Sequence, residues 1–207
     1  ATRTVWRVKG FRVRSTRWSL VSRDVYGNTL GHAGSWWPTF PTPVLTEVLV
    51  LNGKKIVVTG CASGIGKEVA RLIKEAGGYV LGVDLSVTDD YVDELYRADL
   101  SDPDSIRDLI HVLPRGIDGL ANVAGLPPTK PAAKVLAVNY VGLKALTVGL
   151  VPKMADGASV VNVASLAGIG WPNMVSSILE SESLAFEDIE QFVKTHDAGD
   201  SGGRSYF

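Results

Sequence analysis

The sequence predicts an α/β fold, a parallel sheet wound on both sides by helices. Apolar runs of strand length alternate with helical patterns along the chain, and in the first run, residues 56–58, the apolar residues follow one another directly. The first run ends at a glycine-rich turn that leads into a helix. Because strands that are apolar on both sides lie between two layers of helices, we expect right-handed crossovers and a doubly wound sheet.

The predicted strands are residues 56–58, 79–83, 96–98, 119–123 and 159–163. Apolar residues at helical spacing follow the first strand, and Gly77 with Gly78 ends that helix. Residues 87–95 are predicted as a short helix or turn. An N-cap followed by Pro103 starts the next helix, and apolar spacing predicts a long helix from about residue 131 to 154.

The segment after the fifth strand, residues 166–205, is predicted as a helical insert. Ala185, Ile189, Phe192 and Val193 fall on one face of an amphipathic helix. That face covers a substrate site, meets a second subunit, or packs on its own domain, and the sequence leaves these alternatives open. We expect Trp171 and Met174 to pack in a core rather than to line a pocket.

The composition is that of an ordinary soluble domain. The chain has 207 residues, of which 45% are hydrophobic and 21% charged, and its net charge of −1 gives no electrostatic reason to expect nucleic acid or membrane partners. Asn139, Lys144 and Lys153 interrupt the longest apolar candidate for a membrane helix. The single cysteine, Cys61, fits a reducing compartment, so we expect a cytoplasmic protein, and we identify no metal site.

Residues 1–50 differ from the rest of the chain. Seven basic residues and one acidic residue lie within the first 24 positions, and four of the five tryptophans precede residue 40. The segment is a disordered basic arm, an organelle transit peptide, or residues that are not a natural part of the protein, and we favour the last. We expect the folded domain to span residues 51–207.

The turn after the first strand has the pattern of a dinucleotide cradle. Gly60 would permit the tight turn, Gly64 would let phosphates approach the backbone, and Gly66 would let the helix pack on the strand. A helix that starts there directs backbone N–H groups and its positive end at one spot. The alternative is a plain turn in which Cys61 is a small filling residue.

Asp84 follows the second strand directly. A carboxylate at this place can accept hydrogen bonds from a ribose diol and would repel a 2′-phosphate, so NAD is favoured over NADP as the cofactor. No arginine follows immediately that could offset this repulsion. The alternative is a solvated aspartate at a strand end.

Five features occur in order along the chain: Thr59-Gly60-x-x-x-Gly64-Ile65-Gly66, Asp99-Leu100, Asn122-Val123-Ala124-Gly125, Asn139 and Ser165. With these features, the chain resembles the short-chain dehydrogenases/reductases from about Asn52 to its end. The stretch from Gly60 to Gly64, Val138-Asn139-Tyr140 and the long insert after Ser165 resemble the bacterial 3α-hydroxysteroid dehydrogenase/carbonyl reductase type.

The resemblance implies an incomplete Rossmann-type NAD-binding domain. It also implies a cofactor site, a catalytic asparagine and a catalytic serine. The implied cofactor residues are Thr59, Gly60, Cys61, Ser63, Gly64, Ile65, Gly66, Asp84, Asp99, Leu100, Asn122, Ala124 and Gly125.

The resemblance further implies that a hydride passes between NAD and a secondary alcohol or ketone, such as a hydroxysteroid. Ser165 would hold the substrate oxygen, Asn139 would hold a water, and Tyr206 would move the proton. The lysine that the resemblance places four positions after Tyr206 would lie beyond Phe207, and so would the family's sixth and seventh strands. We therefore expect a fragment of a longer protein that forms a homodimer or homotetramer.

Each of these residues has a structural alternative. The alternative for Ser165 is a small hydroxyl that ends a strand, for Asn139 a buried asparagine bonded to backbone, and for Asn122 a strand-end amide. Asp99 would lead into a helix cap, and Tyr206 would be a loop aromatic. The rival functions are a catalytically inactive dinucleotide-binding protein and, far behind it, nucleic-acid binding through the basic segment.

Overall fold

The computed structural model describes residues 50–196. The predicted basic segment, apart from its last residue, and the proposed catalytic Tyr206 lie outside the described residues. All of the cofactor residues implied by the resemblance lie within them.

Five strands and six α-helices make up this part of the chain, and residues 85–93 between the second and third strands contain a turn and no helix. The strands are β1 (Lys55–Thr59), β2 (Tyr79–Asp84), β3 (Glu94–Arg97), β4 (Ile117–Asn122) and β5 (Met154–Asn162). The helices are α1 (Gly64–Glu75), α2 (Pro103–Val112), α3 (Ala132–Leu136), α4 (Leu143–Leu150), α5 (Val175–Ser181) and α6 (Ile189–Thr195).

The strands form one parallel sheet in the order β3-β2-β1-β4-β5, which confirms the predicted fold class. Val57 in β1 lies between Leu81 of β2 and Leu120 of β4. The strand β5 is longer than the apolar run suggests, because Met154 already pairs with Ile117 before a register irregularity. As the outermost strand, β5 leaves Val160 and Val161 exposed.

Successive residues of β1 supply the two cores of the domain. Val57 packs with Leu109 of α2 and Leu146 of α4 on one face of the sheet. Val58 packs with Ala70 of α1 on the other face. Since neighbouring side chains of a strand point to opposite faces, the uninterrupted apolar runs are what a sheet covered on both sides requires.

The long helix that the sequence predicts is not a single α-helix. The π-helical turn Ala137–Gly142 joins α3 to α4, and the 3₁₀ turn Val151–Lys153 follows α4. A methyl group placed on Gly142 would overlap the carbonyl oxygen of Leu100, so the helix passes directly against the backbone that follows β3. The absent side chain at Gly142 permits this contact.

The helical stretch Ala132–Lys153 is long and apolar enough to cross a membrane by length and composition, with a mean hydropathy of 1.6. This corrects the expectation that Asn139, Lys144 and Lys153 leave no apolar stretch long enough for a membrane helix. Its apolar side chains have another explanation, because Val135, Leu146 and Leu150 are buried in the domain itself. A core helix passes the same test.

The predicted insert contains α5, α6 and two 3₁₀ turns, Leu166–Asn173 and Phe186–Asp188. Ile189 and Phe192 are buried against Leu136 and Val141, so this face packs on its own domain. Ala185 precedes the helix instead of belonging to its face. The core prediction for Trp171 is wrong, because its side chain is 59% exposed.

We expect the Gly142→Ala variant to lower the free energy of unfolding by about 1–3 kcal/mol, the usual cost of overpacking. The reason is that the overlapping atom, the Leu100 carbonyl oxygen, belongs to backbone that cannot rotate away. Urea denaturation of the two proteins measures the difference.

The matched control is Gly149→Ala in α4. A methyl group there would meet only the end of the flexible Ile110 side chain, and alanine favours a helix over glycine. The control should therefore cost less than Gly142→Ala. Equal losses for the two variants would contradict the role given to the Leu100 contact.

Candidate functional site

A cleft of about 570 Å³ opens at the carboxyl ends of the central strands. The strand β1 has β2 on one side and β4 on the other, and in such sheets the crossovers diverge at this point and leave a crevice. The loops that follow β1, β2, β3 and β4 line the cleft. The lining residues include Gly60, Ser63, Gly64, Ile65, Gly66, Asp84, Leu85, Asp99, Leu100, Ala124, Gly125, Leu126, Lys130, Lys134 and Val138.

The turn after β1 requires its glycines at the positions that the sequence indicates. Gly60 has a φ of +71°, and a methyl group on it would lie 2.9 Å from the Cα of Ala124. A methyl group on Gly66 would overlap the carbonyl oxygen of Gly60, so α1 packs directly on the end of the strand. Gly64 has a φ of +52° and open space around it. The backbone at Gly64 is therefore accessible from the cleft.

The N-terminus of α1 points into the same cleft. Ser63, the N-cap residue, makes no capping hydrogen bond with its side chain, and the first turn contains no acidic residue. The first N–H groups of a helix have no acceptor within the helix and carry its positive end. This end of α1 therefore has the features of an anion-binding site.

The side chain of Thr59 does not line the cleft. It is buried, and its hydroxyl oxygen accepts hydrogen bonds from the backbone N–H groups of Val123 and Ala124 at 2.9 and 3.0 Å. These bonds fasten the loop after β4 to the end of β1. The structure places the Thr59 side chain beneath the cleft, where it supports the loop after β4.

The side chain of Asn122 is likewise buried away from the cleft. Its amide is 2% exposed and donates to Asn162 Oδ1 at 2.8 Å and to Thr147 Oγ1 at 2.9 Å. The amide thus joins β4 to β5 and to α4, and its side chain does not line the cleft. The alternative of a strand-end amide describes this geometry.

Cys61 also points away from the cleft. Its side chain is fully buried in the core between α1 and the sheet, where a methyl group on Gly82 would lie 2.7 Å from the sulfur. Burial raises the pKa of the Cys61 thiol to about 11, and the negative charge of Asp84 adds to the rise. Cys61 is a filling residue of the turn.

Asp84 lies in the cleft wall at the end of β2. Its Oδ2 accepts a hydrogen bond from the backbone N–H of Ala62 at 3.0 Å, and its Oδ1 accepts one from Ser86 at 2.8 Å. These bonds tie the carboxylate to the glycine turn. No arginine follows Asp84 immediately in sequence, but Arg97 of the adjacent β3 lies near it and donates through Nε to the Leu85 carbonyl at 3.0 Å.

Asp99 and Leu100 form the next part of the wall. Oδ1 of Asp99 accepts hydrogen bonds from the hydroxyl and the backbone N–H of Ser101, at 2.6 and 2.8 Å. The hydroxyl bond holds the pKa of Asp99 below its ordinary value, and the charge of Lys134 across the cleft adds to this effect. The cap of α2 is Asp102, so Asp99 is free of that role.

The described residues with expected catalytic roles, Asn139 and Ser165, lie on separate elements of the chain. Asn139, in the π-helical turn, accepts from the Leu126 N–H at 2.7 Å and donates to the Leu126 carbonyl at 3.0 Å. Ser165 lies three residues after β5 with an exposed side chain. Neither side chain is among those that line the cleft.

Sequence reasoning missed the cationic part of the wall, Lys130 and Lys134. Lys134 precedes Val138 by four residues, and residues with this spacing lie on the same side of a helix. That spacing is a signal that could have placed Lys134 beside the cleft. No comparable pattern identifies Lys130.

Comparison with known proteins agrees with this geometry. The family model described as short chain dehydrogenase matches residues 54–176. A coniferyl-alcohol dehydrogenase from Pseudomonas sp. strain HR199 is 47% identical over 122 residues, which cover 59% of this chain and 48% of that protein. A 3-alpha-hydroxysteroid dehydrogenase/carbonyl reductase from Comamonas testosteroni is 31% identical over 158 residues, covering 72% of this chain and 58% of the relative.

The solved structures agree as well. The 3-alpha-hydroxysteroid dehydrogenase from Pseudomonas sp. B-0831, complexed with NADH, superposes with a TM-score of 0.58 at 27% identity. The match covers 74% of this chain and 60% of that chain. The chain thus spans about half the length of the curated relatives it matches.

We expect Thr59→Val to lower the free energy of unfolding by about 1–3 kcal/mol, because it leaves two N–H groups beneath the cleft without their acceptor. Thr59→Ser is the matched control, since it keeps the hydroxyl and should retain most of the stability. Thermal and urea unfolding measure both. If the serine variant lost as much stability as the valine variant, the hydrogen bonds would not be the cause.

Cys61 should be unreactive in the folded protein. At pH 8, a thiol with a pKa of about 11 and no exposure should react with a thiol reagent at least about a hundredfold more slowly than in the unfolded chain. Because the chain has one cysteine, the colour released by a disulfide reagent reports this residue alone. Rapid stoichiometric labelling without denaturant would contradict the burial.

Proposed function

The chain belongs to the short-chain dehydrogenase family. We propose that it is part of an oxidoreductase that transfers a hydride between NAD and an apolar alcohol or its carbonyl product. One observation carries the proposal. The glycine turn, the N-terminus of α1 and the carboxylate of Asp84 all face one cleft at the carboxyl ends of parallel strands.

The donors and acceptors of the cleft fit a dinucleotide. The N–H groups of the first turn of α1 would hold the pyrophosphate, since the backbone at Gly64 is open and no side chain caps it. Asp84 would accept hydrogen bonds from the adenosine ribose, and Asp99 with Leu100 would contact the adenine. When bound, the nicotinamide supplies the acceptor or donor of the hydride.

The catalytic steps assigned to this chain concern the proton and the substrate oxygen. We assign the hydroxyl of Ser165 to hold the substrate oxygen and the phenol of Tyr206 to exchange the proton. A phenol with a pKa of about 10 needs a nearby positive charge to act as a base at neutral pH. Because both polar atoms of the Asn139 side chain bond to Leu126, we assign Asn139 a positioning role on the loop after β4.

Two relatives indicate different substrates. The more distant one acts on 3α-hydroxysteroids by its name, which agrees with the resemblance of the glycine turn. The relative with 47% identity is named for coniferyl alcohol, and this higher identity favours an aromatic alcohol as the second candidate. Parallel assays with a 3α-hydroxysteroid and coniferyl alcohol, each with NAD and with NADP, test the two. Binding of NAD without turnover of either alcohol would favour the catalytically inactive alternative.

Asp84→Asn should narrow the preference for NAD over NADP. The substitution keeps the size of the side chain but removes the charge that repels a 2′-phosphate and that accepts ribose hydrogen bonds most strongly. We expect about tenfold weaker NAD binding, which corresponds to about 1.4 kcal/mol, with NADP binding unchanged or tighter. Calorimetric titration with each dinucleotide measures the ratio.

Asp89→Asn is the matched control, because Asp89 is an exposed aspartate of the same loop outside the cleft. It should leave both affinities unchanged. An unsubstituted protein that binds NAD and NADP equally would contradict the role of Asp84. A protein that binds neither dinucleotide would contradict the proposed function as a whole.

A further inference from the structure

Two lysines line the cleft on the wall formed by the chain after β4. Lys130 belongs to the connection between β4 and α3, and Lys134 lies in α3 one helical turn before Val138. Both side chains are exposed, and neither forms an ion pair with any residue between positions 50 and 196. Their ammonium groups are therefore available to a ligand in the cleft.

The carboxylates of the cleft do not form ion pairs with these lysines. Each oxygen of Asp84 already accepts a backbone N–H, and Asp99 accepts two hydrogen bonds from Ser101. Lys134 acts on Asp99 only through its charge, without an ion pair within 4 Å. Two cations without ion-pair partners and the positive end of α1 thus share one cleft, an arrangement that attracts an anionic ligand.

We propose that Lys130 and Lys134 bind the phosphate groups of the dinucleotide from the wall formed by the connection after β4 and α3. This inference rests on the proposed function, since it assumes that a dinucleotide occupies the cleft. The backbone N–H groups of α1 hold the phosphates at a rigid surface, while the two flexible side chains reach them from another wall. Lysine suits this task as a mobile point charge for phosphate.

An anionic group on the substrate would be a different source of negative charge. The lysines share their cleft with the glycine turn and with Asp84, whereas Ser165, assigned to the substrate oxygen, does not line it. The lysines therefore belong to the surface of the cofactor. ADP-ribose contains the two phosphates without the nicotinamide, and adenosine contains neither phosphate, so the pair of probes separates phosphate binding from adenine binding.

The experiment compares the unsubstituted protein with the double variant Lys130→Gln/Lys134→Gln by calorimetric titration with ADP-ribose and adenosine. At low salt we expect ADP-ribose to bind about 5- to 10-fold more weakly to the variant, as expected for two exposed charges, and adenosine to change less than about twofold. At about 1 M salt, where charges are screened beyond about 3 Å, the difference should shrink to less than about twofold.

Lys194→Gln in α6 is the matched control, because Lys194 is an exposed lysine outside the cleft. Three results would overturn the inference: unchanged ADP-ribose binding by the double variant, an equal loss for adenosine, or an equal loss for the Lys194 control. A loss confined to NADP, with NAD unchanged, would also overturn it, because the lysines would then serve a 2′-phosphate alone. If the unsubstituted protein binds ADP-ribose in any of these cases, the proposed function stands.

Discussion

The cleft depends on the hydrogen bonds that the Thr59 hydroxyl accepts at the end of β1. This buried oxygen holds the N–H groups of Val123 and Ala124, so the loop after β4 is fastened to the strand that precedes the glycine turn. The close packing of Gly60 on Ala124 strengthens the same junction. Two walls that belong to distant parts of the chain therefore keep one relative position. The amide of Asn122 extends the junction to β5 and α4.

Negative and positive groups lie on different walls of the cleft. Asp84 and Asp99 are oriented by backbone N–H groups and by Ser101, which fixes their acceptor oxygens at the ends of β2 and β3. The N-terminus of α1 and the two lysines supply positive potential on other walls. Because hydrogen bonds already orient the carboxylates before a ligand binds, these side chains need little reorganisation when polar groups of the ligand replace water.

The glycine turn and the positions of the strands along the chain could be predicted from the sequence because their requirements are local. A positive φ at Gly60 and the close approach at Gly66 exclude other residues, and buried strands leave uninterrupted apolar runs. The directions of Thr59 and Asn122 could not be predicted, since they depend on partners 64 and 40 residues away. Lysines such as Lys130 are common on surfaces, and only the fold shows which of them face a cleft. Trp171 shows the reverse case, an apolar residue on the surface.

The π-helical turn Ala137–Gly142 joins α3 to α4, so the number of residues in it sets the rotation of one helix relative to the other. A π turn contains one residue more than an α turn, and each residue rotates an α-helix by about 100°. Deleting a single residue there would turn α3 by roughly a quarter of a circle relative to α4. Lys134 and Val138 would then leave the cleft wall together. The number of residues in this turn therefore determines which side chains of α3 face the cleft.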